Sequence, residues 1–243
     1  MSQKIDIVIP LGRGSKWEDN ELRYCLRSIE KNFLDLGKVY IVGVKPRWLK
    51  NVIHIKAEDI YTSNKDANII TKVSMACRHP DISKKFVRLS DDQVFMKPIS
   101  AKDMKIYHGG DLKDRSFRNA RKWQLRLKNT MEELQKKGLP TLNYDTHCPM
   151  IADKDKFLKA FKGLRWNTNW PGVTINTWYY NHQNEESLFI KGIKATLEGR
   201  EKSKADILKK VKNCVFLGYN NKALRWMRFI LPKKFPEKSR FEV

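Results

Sequence analysis

The first hundred residues alternate between short apolar runs and amphipathic helical stretches, which leaves few folds open. Apolar runs fall at residues 5–10, 39–44, 52–55 and 86–89. Each is too short for a buried helix, and the first two are rich in Val and Ile, the composition of strands covered on both faces. Between the first two, Leu22, Leu26, Ile29 and Phe33 recur at three- and four-residue spacing. That spacing predicts a helix capped by Asp19 or Asn20, running to about Leu34 and ended by Gly37. A second helix is predicted over residues 64–77, offering Ala67, Ile70, Val73 and Met75 to the core. Strand and helix in this order imply βα units and a mostly parallel, Rossmann-type sheet flanked by helices. Ligands in such sheets bind beyond the carboxyl ends of the strands. Three polar segments lie there: Gly12 to Ser15 behind Pro10, Glu58 to Asp59, and Ser90 to Asp92.

The second half is less regular. A helix rich in Lys and Arg is expected from about Arg115 to Lys137, broken by Gly138-Leu139-Pro140. Asp145 and His147 alternate in an expected strand, so both would face one cavity. A short helix follows over residues 154–161, and an aromatic segment over 163–180 holds Trp166, Trp170, Trp178, Tyr179 and Tyr180. From Lys191 onward, 15 Lys and Arg stand against 5 Asp and Glu, and residues 223–234 read as a short basic amphipathic helix. With no repeat or low-complexity tract, residues 1–243 are expected to form one domain.

Composition narrows the class. Hydrophobic residues make up 41% of the 243 and charged residues 31%, which excludes a disordered chain. No apolar run approaches the ~18 residues of a membrane span. No signal-like start precedes the first strand, so a cytoplasmic protein is expected. Cys25, Cys77, Cys148 and Cys214 are far apart and form no CxxC pair, which favours reduced, buried thiols over zinc or disulfides. The net charge of +22 favours a polyanionic partner: nucleic acid, an anionic membrane face or a phosphate-rich substrate.

Asp91-Asp92, after the fourth apolar run, carries the chemistry. Adjacent carboxylates repel, and Mg²⁺ or Mn²⁺ relieves that cost while binding substrate phosphates. Residues 86–95, with Phe86, Asp91 and Asp92, resemble the F-x-x-x-N-D-D-x-F motif of the Stealth sugar-phosphate transferases, Ser90 standing for the Asn. The segments 5–10, 19–32 and 39–49 are similar to that family too, and the likeness covers roughly residues 5–100, continuing loosely through His147. The same stretch resembles the nucleotide-sugar core of GT-A glycosyltransferases. Where Stealth proteins carry an acidic segment after the first strand, this chain has Pro10-Leu11-Gly12-Arg13-Gly14-Ser15 with no acid. That departure shifts the reading from a phosphotransferase to a GT-A-type transferase.

The resemblance implies a nucleotide-sugar-binding half at residues 1–100 and an acceptor half at 101–243. It puts a metal and diphosphate on Asp91 and Asp92, with His182 as a late metal ligand. Pro10, Gly12, Arg13, Asp59, Asn64, Lys65 and Asn68 would contact the nucleotide, and Arg23 would lie nearby. Asp92, Asp145 and His147 would be catalytic, Asp145 orienting the His147 imidazole as general base. Trp166, Trp170, Arg115, Arg118 and Arg121 would meet the acceptor. The expected function is a glycosyltransferase using a nucleotide-diphosphate sugar and Mn²⁺ or Mg²⁺. Its acceptor is expected to be polyanionic, such as the hydroxymethylated pyrimidines of DNA that some bacteriophages glucosylate. Two rivals are a surface-polysaccharide transferase held at an anionic membrane by the basic tail, and a non-catalytic nucleic-acid-binding protein on a degenerate transferase fold.

Overall fold

A computed structural model of the chain describes residues 4–166 and 170–243, so residues 167–169 of the aromatic segment lie outside the described residues. The strands are β1 (Ile5–Leu11), β2 (Leu36–Gly43), β3 (Ile53–Lys56), β4 (Lys85–Arg88), β5 (Gln93–Phe95), β6 (Tyr107–His108), β7 (Met150–Asp153), β8 (Leu188–Phe189), β9 (Lys194–Leu197) and β10 (Phe216–Tyr219). The helices are α1 (Asn20–Asn32), α2 (Lys65–Cys77), α3 (Trp123–Lys136), α4 (Lys154–Phe161), α5 (Ile175–Asn181), α6 (Lys204–Val211) and α7 (Leu224–Lys234).

The main sheet has the order β3-β2-β1-β4-β7. Its first four strands are parallel, and β7 runs antiparallel to β4. Because strand side chains alternate, β1 feeds two cores. Ile7 and Ile9 pack with Leu22, Leu26 and Ile29 of α1 on one face. Val8 packs with Ile70 and Val73 of α2 and with residues of α4 and α5 on the other. All three β1 side chains are fully buried, each worth roughly 1.5–3 kcal/mol relative to exposure. This is the expected α/β architecture: a mostly parallel sheet between helices.

Several boundaries differ from expectation, each for a local reason. β1 runs through Pro10 to Leu11, held by pairing with Val42 and Gly43 of β2. Gly37 lies inside β2, where a Cβ would meet the Asp6 carboxylate at 2.6 Å. Asp19 occupies the α1 cap position in a left-handed conformation (φ 57) without a side-chain cap bond. The basic helix starts at Trp123 rather than Arg115. A 3₁₀ turn at Leu112–Asp114 and a turn closed by Ala120 N–H on Phe117 O consume the intervening chain. The stretch before β7 is irregular, with His147 at φ 58, so Asp145 and His147 do not share a strand face.

The two halves interlock. β7 from the second half completes the first sheet, while β5 leaves it to pair with β10 in a second sheet of order β5-β10-β9. That sheet packs with α6 and α7 around Leu197, Leu217, Met227 and Leu231, so the basic tail docks on the protein. The last residues then return to the first half. Phe241 is buried beside α1 and β2, and Glu242 pairs with Arg27 at 2.8 Å and Arg23 at 3.2 Å. All four cysteines are buried and free. No helix among the described residues is long and apolar enough to cross a membrane.

Candidate active site

The parallel strands deliver their carboxyl ends to one edge, and two features meet there. The first is a cleft of about 560 Å³ over the ends of β1, β2 and β3. Buried Lys72 of α2 reaches up to its base, where its ammonium donates to Leu11 O at 2.8 Å and pairs with Asp59 at 2.6 Å. Gly43 ends β2 at φ +128, and a Cβ there would overlap the Leu11 carbonyl. Only glycine lets β1 and β2 close at this point. A Cβ on Gly12 would come within 2.6 Å of the Asp59 carboxylate, so that backbone lies directly against it. Exposed Arg13, Lys45 and Lys56 line the opening.

The second feature is the turn at Asp91 and Asp92, between β4 and β5. Gln93 clasps it: its side-chain oxygen accepts from Ser90 N–H at 2.9 Å, and its own N–H donates to Ser90 O at 3.1 Å. Burial, then the charges of Asp92, Glu21 and Asp19, push the Asp91 carboxyl up to about 7. Glu21 is itself buried and accepts from the Ser15 hydroxyl at 2.7 Å. Asp92 Oδ1 is buried without a hydrogen-bond partner. His147 Nε2 lies 3.4 Å from it, an ion-pair contact whenever the imidazole is protonated. The His147 ring lies against Gly218 of β10, where a Cβ would overlap it. Lys194, at the start of β9, donates to Thr146 O just before His147. Burial lowers its pKa, while Cys148 and Asp92 oppose the shift.

In fold, the chain as a whole is similar to a solved galactosyltransferase, LgtC in complex with donor and acceptor sugar analogues. It aligns over 97% of this chain and 96% of its own, with a TM-score of 0.52 at 9% identity. The fold is GT-A-like. A glycosyltransferase involved in glycosylating the major capsid of PBCV-1 covers 91% of this chain and 97% of its own, with a TM-score of 0.46 at 13% identity. No family model matches the chain. At these identities the likeness is one of fold, so the chemistry rests on the residues themselves.

Within this GT-A-like frame, the sequence-derived residues separate into groups. Asp91, Asp92 and His147 come together. Gly12, Arg13 and Asp59 sit at the neighbouring cleft, behind Pro10. Asp145 does not orient His147. It accepts the Thr177 N–H of α5 at 3.2 Å and acts on buried Arg88 and Asp66, the latter paired with Arg126 at 2.6 Å. His182 is held elsewhere: its Nδ1 contacts Trp178 O at 2.8 Å and its ring lies tilted against Trp178, 4.6 Å between centres. Asn64 caps α2 through Ala67 N–H, and Asn68 clasps Tyr61 through both its backbone N–H and its carbonyl. Both are buried in structural bonds, while Lys65 is exposed. Arg23 points to Glu242 and lies 4.0 Å from the Trp48 ring centre. Trp166 is half-buried against the core, and Trp170 is 45% exposed. Arg115, Arg118 and Arg121 are exposed ahead of α3, Arg115 lying 5.8 Å from the ring centre of exposed Trp123.

The turn suits a hard divalent cation. It offers two carboxylates, one with an orphaned buried oxygen, and an imidazole nitrogen beside it. Among the described residues no group of three or more His, Cys, Asp or Glu is arranged as a complete metal site. Sequence reasoning missed Lys72, Lys194, Gly43 and Gly218. Of these only Gly43, interrupting the apolar run 39–44, had a visible signal; the others act through contacts between distant segments.

Proposed function

We propose that this protein is a glycosyltransferase that uses a nucleotide-diphosphate sugar and a divalent cation, Mn²⁺ or Mg²⁺. The observation that carries this reading is the orphaned, buried Asp92 oxygen beside Asp91 and His147, one strand over from the Lys72–Asp59 cleft, on a GT-A-like fold. The cleft would take the nucleoside, and Arg13, Lys45 and Lys56 would draw in the diphosphate. Asp91 and Asp92 would hold the cation together with oxygens of the donor diphosphate, and the cation when bound would offset the negative charge of a departing nucleoside diphosphate. Gln93 keeps the turn rigid, so the carboxylates are preorganised rather than recruited on binding. Lys194, half-buried and within electrostatic reach of Asp92, adds a positive charge.

For the acceptor we favour DNA carrying hydroxymethylated pyrimidines. The net charge of +22 and the exposed patch of Arg115, Arg118, Arg121 and Trp123 support a polyanion with stacking bases. The target base would have to leave the stack to expose its hydroxyl.

The test is nucleoside diphosphate release from a panel of nucleotide sugars with Mn²⁺, with and without hydroxymethylated DNA. Release that needs the metal, falls on the order of 10²-fold in Asp92→Asn and rises with the modified DNA is expected. Release indifferent to DNA would keep the transferase and discard this acceptor. A folded protein that turns over no donor would overturn the enzyme reading.

A further inference from the structure

The second sheet carries a feature that the donor site does not use. Between α6 and α7 runs a groove of about 630 Å³ whose floor is apolar: Met96, Val211 and Ile230, with Leu208 and Phe229 as walls. Leu208 is 46% exposed although it follows the fully buried Ile207 on α6. Four exposed lysines rim the groove, Lys209 and Lys212 on one side and Lys233 and Lys234 on the other. Among the described residues none of the four forms an ion pair. Asp206 is the one acidic residue in either helix.

We propose that this groove seats on an anionic membrane leaflet, its apolar floor taking acyl-chain surface and its lysines the lipid phosphates. Lys233 holds its ammonium 4.3 Å from the centre of the Phe229 ring, and lysines whose stems lie on apolar surface can extend their heads to lipid phosphates, as interfacial amphipathic helices do. Charge complementarity selects this occupant over the others. A second copy of the chain would bring the same four lysines and be repelled. The chain's own last residues are already committed, with Phe241 buried against α1 and β2. A nucleic acid would use the lysines but leave the apolar floor wet, since Met96, Val211 and Ile230 offer base edges no hydrogen-bond donor.

The experiment is flotation of the full-length protein with phosphatidylcholine vesicles, with and without phosphatidylglycerol. Binding only to the anionic vesicles is expected, weakening with salt. Each lysine near an anionic surface is worth roughly five-fold in binding. The double reversal Lys209→Glu/Lys212→Glu is therefore expected to weaken binding by about 100-fold or more, and Leu208→Asp by roughly ten-fold. An equal reversal at the end of α4, Lys159→Glu/Lys162→Glu, is expected to change it little, and Leu208→Asp is expected to leave duplex DNA affinity unchanged. All substituted positions are exposed, and unchanged thermal unfolding checks that the variants fold. Wild-type protein that ignores anionic vesicles, a Leu208→Asp variant that binds them normally, or an α4 reversal as damaging as the groove reversal would each overturn the proposal. No readout uses sugar transfer, so the outcome is independent of the donor reading.

Discussion

Gly218 sits where any side chain would collide with the ring of His147. The ring is the part that can move, so Gly218→Ala is expected to push His147 away from Asp92 while the fold survives. Donor turnover falling roughly ten- to a hundred-fold, with a melting temperature within a few degrees of wild type, would show that contact at work. Gly43 is a harder case, because its hypothetical Cβ meets backbone: Gly43→Ala combines overlap with Leu11 O and a positive φ, and should destabilise by more than about 2 kcal/mol in a denaturant titration. At the acid turn, the charges of Asp92, Glu21 and Asp19 all raise the Asp91 pKa, a cost that a bound cation would reduce. Mn²⁺ is therefore expected to raise the melting temperature of the wild type and not of Asp92→Asn. At a hundred times its Kd the ion would add about 2.7 kcal/mol, and equal shifts in both proteins would place the cation elsewhere.

The C-terminal strap is the element whose energetics are most exposed to measurement. Residues 239–243 lie across α1 and the chain after β2, through Lys50 N–H on Phe241 O, Val243 N–H on Trp48 O and the Arg27–Glu242 pair. Burial alone would raise the Glu242 pKa. Bonds from Arg27 and the Ser239 N–H outweigh it and pull the value from 4.5 down to about 2. A depressed carboxylate pKa stabilises the fold fully above the unfolded value and loses that effect as pH falls through the folded one. The contribution of Glu242 is thus complete above about pH 4.5 and fades toward pH 2. Glu242→Gln is expected to cost about 3 kcal/mol at pH 7, since it strands Arg27 without its buried partner. The gap between wild type and variant should close as the pH drops through that window, and a constant gap in chemical denaturation would assign the loss to packing instead.

On the scale of the molecule, the exchange of strands between halves matters most. Residues 1–100 lack β7, which covers the free edge of β4, and lack β10, which pairs β5 beside the acid turn. Expressed alone, this half is expected to show no cooperative thermal unfolding, and a sharp transition by calorimetry would mean that it folds independently. The site is therefore a property of the whole chain, although Asp91 and Asp92 belong to the first half.

The local parts of this arrangement were legible in the amino-acid order. Val and Ile runs, three-to-four-residue apolar spacing and glycines between them fixed β1, β2, β4, α1 and α2, because those signals depend on neighbours in sequence. Strand ends that converge on one edge follow from the parallel order, so the acid turn and the Asp59 cleft were legible too. What tertiary structure alone decided is partnership. His147 meets Asp92 across 55 positions, set by a left-handed residue and by the β5–β10 pairing. Asp145 was expected beside His147 because two residues apart in a strand share a face, but the irregular backbone sent it to α5. Arg23 was expected near the nucleotide, but Glu242 from the far end of the chain claims it together with Arg27. Sequence determines which segments are strand or helix through short-range sterics and apolar periodicity. Which side chains then face each other is set by how those segments pack, and no local pattern records it.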